Sequence, residues 1–168
     1  HNCSIMDKTY FKDKVIIITG ASSGIGLASA RLFGSCGAKV VMAARHLDKL
    51  EAEVPSVSQN PDNVLCVKTD VSKEKDCKDL IAKTVEKFGR IDILVNNAGI
   101  SMRAMFKDLD LSVIKSLMDV NFWGTVYCTK FALPYLLETK GSVVGVISIA
   151  GYSALPEIGR ASCRERVF

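Results

Sequence analysis

Lys14-Val15-Ile16-Ile17-Ile18-Thr19-Gly20-Ala21-Ser22-Ser23-Gly24-Ile25-Gly26 is a run of β-branched residues that breaks into glycines. Val15 to Ile18 show no polar alternation, which suits a strand buried on both faces and therefore a parallel sheet. Glycines at the first, fifth and seventh places of Gly20 to Gly26 allow a tight turn, a close approach of backbone, and intimate packing of the next helix on the sheet. The N–H groups at such a helix start have no partners within the helix, and the positive end of its dipole adds to them. The turn is therefore suited to an anion, with Ser22 and Ser23 adding hydroxyl donors. A glycine turn can equally be a flexible loop with no ligand, so the flanking elements have to decide.

Those elements are present on both sides. Gly26 to Cys36 places Leu27, Ala30, Leu32 and Phe33 at helical spacing and is followed by Gly37, a helix with a glycine stop. Lys39 to Ala44 reads as a second strand, His46 to Val54 as a helix, and Val64 to Val67 as a third strand. Lys73 to Phe88 is an amphipathic helix with Leu80, Ile81, Val85 and Phe88 on one face, ended by Gly89. Ile91 to Val95 gives a fourth strand, Leu111 to Leu137 a long helix interrupted once by Asn121, and Val143 to Ile149 a fifth strand. Strands alternating with helices of ten residues or more mean βαβ crossovers, an α/β fold with a doubly wound parallel sheet.

Composition narrows the function classes. The chain has 168 residues, 48 % hydrophobic and 24 % charged, as in a single soluble globular domain. Its net charge of +4 is scattered, with no basic run interleaved with aromatics, so no nucleic-acid partner is expected. Lys39, Arg45 and Lys130 break up the apolar runs, so no membrane span is expected either. The six cysteines, Cys3, Cys36, Cys66, Cys77, Cys128 and Cys163, sit singly, without C-x-x-C pairs or zinc-like histidine spacing. No metal site is expected, and the cysteines read as small hydrophobes in a reducing, cytoplasmic setting. Residues 1–5 read as leader translation ahead of a start at Met6.

About twenty residues past Gly26 the second strand ends at Ala43-Ala44-Arg45-His46. In a dinucleotide-binding fold this is where an acidic residue accepts from the ribose 2′-hydroxyl. Arg45 instead offers a forked cation suited to a 2′-phosphate, so NADP is expected in preference to NAD. A solvated arginine opening a helix is the plainer alternative.

The octet Thr19 to Gly26 resembles the cofactor turn of the short-chain dehydrogenase/reductase family, and later motifs follow in that family's order. The resemblance covers about Phe11 to Pro156, so residues 11–156 are expected to be a Rossmann domain, the five-strand front part of a normally seven-strand single domain. It implies cofactor contacts at Gly20, Ser22, Ser23, Gly24, Ile25 and Gly26, and again at Asn97, Ala98 and Gly99 in Asn96-Asn97-Ala98-Gly99. It implies that Asp70-Val71 holds the adenine, although Asp70 can also serve as a helix cap. By the same resemblance Asn121 bends its helix and helps place a water linked to the active-site lysine. Taken alone it is a buried amide bonding a neighbouring carbonyl. Ser148, otherwise an ordinary strand-end serine, corresponds to the residue that hydrogen-bonds the substrate carbonyl and the reactive tyrosine.

The family's Tyr-x-x-x-Lys pair is the departure. Counting forward from Ser148 gives Ala161 and Glu165, which can neither exchange a phenolic proton nor lower a phenol's pKa. Tyr152 is four residues past Ser148, with no lysine four residues after it. The segment from Glu157 to Phe168 resembles the in-frame translation of a sequencing adapter, and native coding is expected to end near Pro156. Two functions follow. One is an NADP(H)-dependent oxidoreductase acting on a small carbonyl or alcohol substrate, its parent a homo-oligomer and this chain inactive. The alternative is a non-catalytic dinucleotide-binding module or sensor.

Overall fold

The computed structural model describes residues 8–101 and 108–148. The readings made for residues 1–5, for Ile149 and Tyr152, and for the tail from Glu157 lie outside the described residues.

The strands are β1 (Val15–Thr19), β2 (Lys39–Ala44), β3 (Val64–Lys68), β4 (Ile93–Asn96) and β5 (Ser142–Gly145). All pair in parallel, in the order β3-β2-β1-β4-β5. β1 is buried throughout, and its alternation divides two cores. Val15 and Ile17 join Val41 and Ala43 against α3 (Glu74–Phe88) and α5 (Gly124–Thr139). Ile16 and Ile18 join Val40 and Met42 against α1 (Gly24–Ser35) and α2 (Leu47–Val57). A strand covered on both faces has no solvent-facing position, which is why Val15 to Ile18 read as one apolar run ahead of the hydrogen-bonded Thr19. Each of these four side chains contributes about 1.5–3 kcal/mol by leaving water. β5 closes one edge, with Val143 and Val144 about half exposed.

Several element ends shift by one or two residues from the sequence reading, and three boundaries differ by more. Helix α2 runs on through Pro55 to Val57, although a proline there gives up its own N–H bond and crowds the carbonyl four residues back. There Arg31 of α1 also binds Ser56 and Glu53 at 3.0 and 2.7 Å. β5 is shorter than expected. The long helix is in fact α4 (Leu111–Met118), a π-helical turn at Asp119–Trp123, and then α5. Gly124 N–H donates to Asp119 O five residues back, which marks the inserted residue. Asn121 lies at the centre of that wide turn.

The four cysteines among the described residues pack as hydrophobes. Cys36, Cys77 and Cys128 are buried and Cys66 is partly buried. The Cys77 thiol donates to Val71 O at 3.5 Å. The Cys128 thiol is pushed well above its ordinary range by its hydrogen bond with Cys77, with burial adding to it. Burial likewise pushes Cys66 up. A disulfide reagent such as Ellman's should therefore leave Cys77 and Cys128 unmodified in the native chain and label them at once in guanidinium. Native-state labelling of either would contradict this packing.

Candidate functional site

Strand order reverses beside β1, which has β2 on one side and β4 on the other, and in open α/β sheets the crevice beyond the carboxyl ends at such a point receives ligands. Here the crevice is built around Thr19, the last residue of β1 and almost fully buried. Its Oγ1 donates to Val95 O at 3.4 Å and accepts from the N–H groups of Asn97 and Ala98, each at 3.0 Å. The Asn97 amide donates back to Thr19 O at 3.0 Å and Gly20 O at 3.2 Å. The glycine turn and the segment after β4 are thereby latched together. Sequence reading quoted Thr19 but gave it no role.

The latch explains two of the glycines. A Cβ on Gly20 would lie 2.8 Å from Ala98 Cα, and Gly20 also holds φ +67°. A Cβ on Gly26 would run into Gly20 O and stand 2.5 Å from Asn97 Nδ2. Ser23 precedes α1 without using its hydroxyl as a cap, and the first turn carries no acidic residue. The turn therefore presents N–H groups, the Ser23 hydroxyl and the positive end of a helix to whatever lies in the crevice.

A cavity of about 290 Å³ opens there. Gly20, Ser22 and Ser23 of the glycine turn line it together with Arg45, Asp70, Val71, Asn97, Ala98 and Gly99. Ala44, His46, Thr69, Ile100 and Val120 complete the lining. Sequence reading had not selected these five; Ala44, His46 and Thr69 could have been found as neighbours of Arg45 and Asp70. Gly24, Ile25 and Gly26 are not among the lining residues. Gly26 is buried beneath the turn, whereas Ile25 is 64 % exposed. Asp70 binds Ser72 N–H at 3.1 Å and the Ser72 hydroxyl at 2.7 Å, so its carboxylate is engaged in the turn before α3 as well as facing the cavity. Arg45 is exposed at the rim.

Asn121 stands behind the wall. Its Oδ1 accepts from Ile100 N–H and its Nδ2 donates to Ile100 O, both at 2.9 Å. The π turn thus aims one amide at both backbone groups of the residue that follows Gly99, while Val120 beside it faces the cavity. Ser148 lies three residues past the end of β5, exposed and outside the cavity lining.

The family model described as short chain dehydrogenase matches residues 14–160. The chain belongs to the short chain dehydrogenase family. Members of this family are oxidoreductases, and the parallel sheet with its flanking helices is the fold of the solved relatives. The 11-beta-hydroxysteroid dehydrogenase-like 4A protein of Arabidopsis thaliana is 43 % identical over 148 residues, 86 % of this chain and 49 % of the relative. An alcohol dehydrogenase from the archaeon Thermococcus sibiricus, solved with 5-hydroxy-NADP, superposes with a TM-score of 0.83 at 31 % identity, over 87 % of this chain and 63 % of its own. A short chain dehydrogenase/reductase from Burkholderia phymatum, solved with NAD, superposes with a TM-score of 0.84 at 29 % identity, over 90 % and 54 %. The chain spans about half the length of the curated relatives it matches. Among its described residues, no helix is long and apolar enough to cross a membrane.

Proposed function

We propose that this chain is the cofactor-binding part of an NADP(H)-dependent oxidoreductase that moves a hydride between nicotinamide and the carbon of a small carbonyl or alcohol. The reading rests above all on Arg45, which stands on the cavity rim in the place where a 2′-hydroxyl reader would carry a carboxylate. The other charged wall residue, Asp70, holds its own turn. The crevice fits a dinucleotide: Gly20 and Gly26 let the turn and α1 pack against Asn97 and Ala98 where a Cβ has no room, and Ser22, Ser23 and the start of α1 supply donors for the pyrophosphate. Asp70 and Val71 would flank the adenine, and Asn97, Ala98 and Gly99 would run along the cofactor. When bound, the nicotinamide supplies the hydride chemistry, and the protein's share is to orient it and exclude water. Asn121 would brace this wall through Ile100, and Ser148 would contact the substrate oxygen.

The test is a calorimetric titration of the chain with NADPH and with NADH. NADPH should bind at least about tenfold more tightly, the worth of one charge-assisted contact. Arg45→Glu should weaken NADPH about 100-fold through loss of that contact and added repulsion, while changing NADH by less than about threefold. Equal affinity of the unaltered chain for the two cofactors would defeat the NADP assignment. A non-catalytic binding module is the second reading, favoured by Ala161 and Glu165 at the places counted for the proton-relay pair. On either reading this chain should bind cofactor yet show no carbonyl-dependent loss of absorbance at 340 nm.

A further inference from the structure

Three threonine hydroxyls sit along α5, and that of Thr129 takes its bond from a side chain. The Thr125 hydroxyl lies at donating distance from Asn121 O four residues back, the local bond a helical threonine usually makes, and the Thr139 hydroxyl lies 2.7 Å from Ile91 O and 3.2 Å from Tyr135 O, backbone carbonyls in each case. Thr129 Oγ1 instead accepts from Asn96 Nδ2 at 3.1 Å, across 33 residues of sequence. Asn96 is the last residue of β4 and is 3 % exposed. Its backbone is fixed from the β5 side, where Val146 N–H donates to Asn96 O at 3.0 Å. The next residue is Asn97, the first of the cavity wall, which Thr19 holds from the β1 side. The wall from Asn97 to Gly99 thus leaves a strand end secured on one side by the glycine turn and on the other by α5.

We propose that Thr129 is a positioning residue for cofactor binding: its hydroxyl oxygen fixes the Asn96 amide, and through it the direction in which Asn97-Ala98-Gly99 leaves β4. It touches neither the cavity nor any atom that reacts. The inference rests on the reading that the cavity takes a nicotinamide dinucleotide. Asn96 is otherwise buried without an acceptor for that amide among its described bonds, so removing the oxygen leaves a buried donor free to seek another partner and to pull the strand end with it.

The experiment compares Thr129→Val, which keeps the shape and removes the oxygen, with Thr129→Ser, which keeps the oxygen. Calorimetric titration with NADPH should show affinity about fivefold weaker for Thr129→Val, the worth of one neutral hydrogen bond, and within about twofold of the unaltered chain for Thr129→Ser. Amide hydrogen exchange on the same proteins without cofactor should accelerate at residues 97–100 in Thr129→Val alone. Thr129→Val with unchanged affinity, or with faster exchange spread over all of α5 instead of residues 97–100, would overturn the positioning role. Failure of the unaltered chain to bind NADPH or NADH would instead overturn the cofactor reading, and the exchange data would still decide whether Thr129 sets the wall.

Discussion

Gly26→Ala should destabilise the chain by about 3 kcal/mol and abolish measurable dinucleotide binding, whereas Gly24→Ala, two residues earlier, should cost about 1 kcal/mol. The two glycines are required for different reasons. Gly24 holds φ +55° with nothing within 4 Å of where a Cβ would stand, so alanine there meets only the intrinsic cost of a left-handed backbone. Gly26 has an ordinary φ, but its Cβ would intrude on Gly20 O and on the Asn97 amide, the group that ties Asn97 to Thr19 O and Gly20 O. Relief requires α1 to move off the sheet or Asn97 to swing out, and either opens the cavity wall. Thermal melting should show Gly26→Ala lowered by about 6–12 °C, on a scale of roughly 2–4 °C per kcal/mol for a chain of this size. An alanine variant at Gly26 that melts with the unaltered chain and still binds NADPH would mean that the close packing of α1 on the latch is not what the glycine serves.

The legible parts of this molecule are those whose physics is local. A parallel strand buried on both faces has no solvent-facing position, so the apolar run Val15 to Ile18 announced both the strand and the sheet type. The glycine spacing announced the turn because strand, turn and helix lie within some twenty residues. The placement of Arg45 on the cavity was legible for the same reason, since it depends only on distance from the glycines. Thr19 was not, because its work is done with Val95, Asn97 and Ala98, which lie 76 to 79 residues away. The π turn was hidden because one inserted residue shifts the helical period by less than the scatter of apolar positions in a helix buried on one face. Asn121 was noticed as a polar interruption, but that both ends of its amide would go to Ile100 required knowing where β4 ends in space. Gly24, Ile25 and Gly26 lie outside the cavity lining although they belong to the same motif. The spacing identifies a turn without telling which of its residues line the cavity.

Asp92→Ala should cost the fold about 3 kcal/mol while leaving cofactor affinity untouched. Asp92 sits just before β4, and its side chain is 4 % exposed. Its Oδ2 accepts from Val15 N–H at 2.9 Å and from Arg90 Nε at 2.9 Å, and its Oδ1 accepts from Arg90 Nη2 at 2.6 Å. The backbone of the same residue donates to Val15 O and accepts from Ser142 N–H, each at 2.9 Å. One aspartate therefore ties together the starts of β1, β4 and β5. Alanine would orphan the Val15 N–H, on a residue with no solvent exposure, and release a guanidinium that is already half in water. The orphaned donor is the costly part, so Asp92→Asn, which keeps an oxygen for Val15, should cost only about 1 kcal/mol. Arg90→Ala should fall between them, because it leaves a buried carboxylate with one donor but opens a path for water. Denaturant melts of the three variants check the order. All of this lies at the amino edge of the sheet, and the cavity lies beyond the carboxyl edge. A folded Asp92→Ala chain that bound NADPH more weakly than the unaltered chain would mean that the strands carry a change of register from one edge to the other; equal affinity would mean that each edge of the sheet is held by its own bonds.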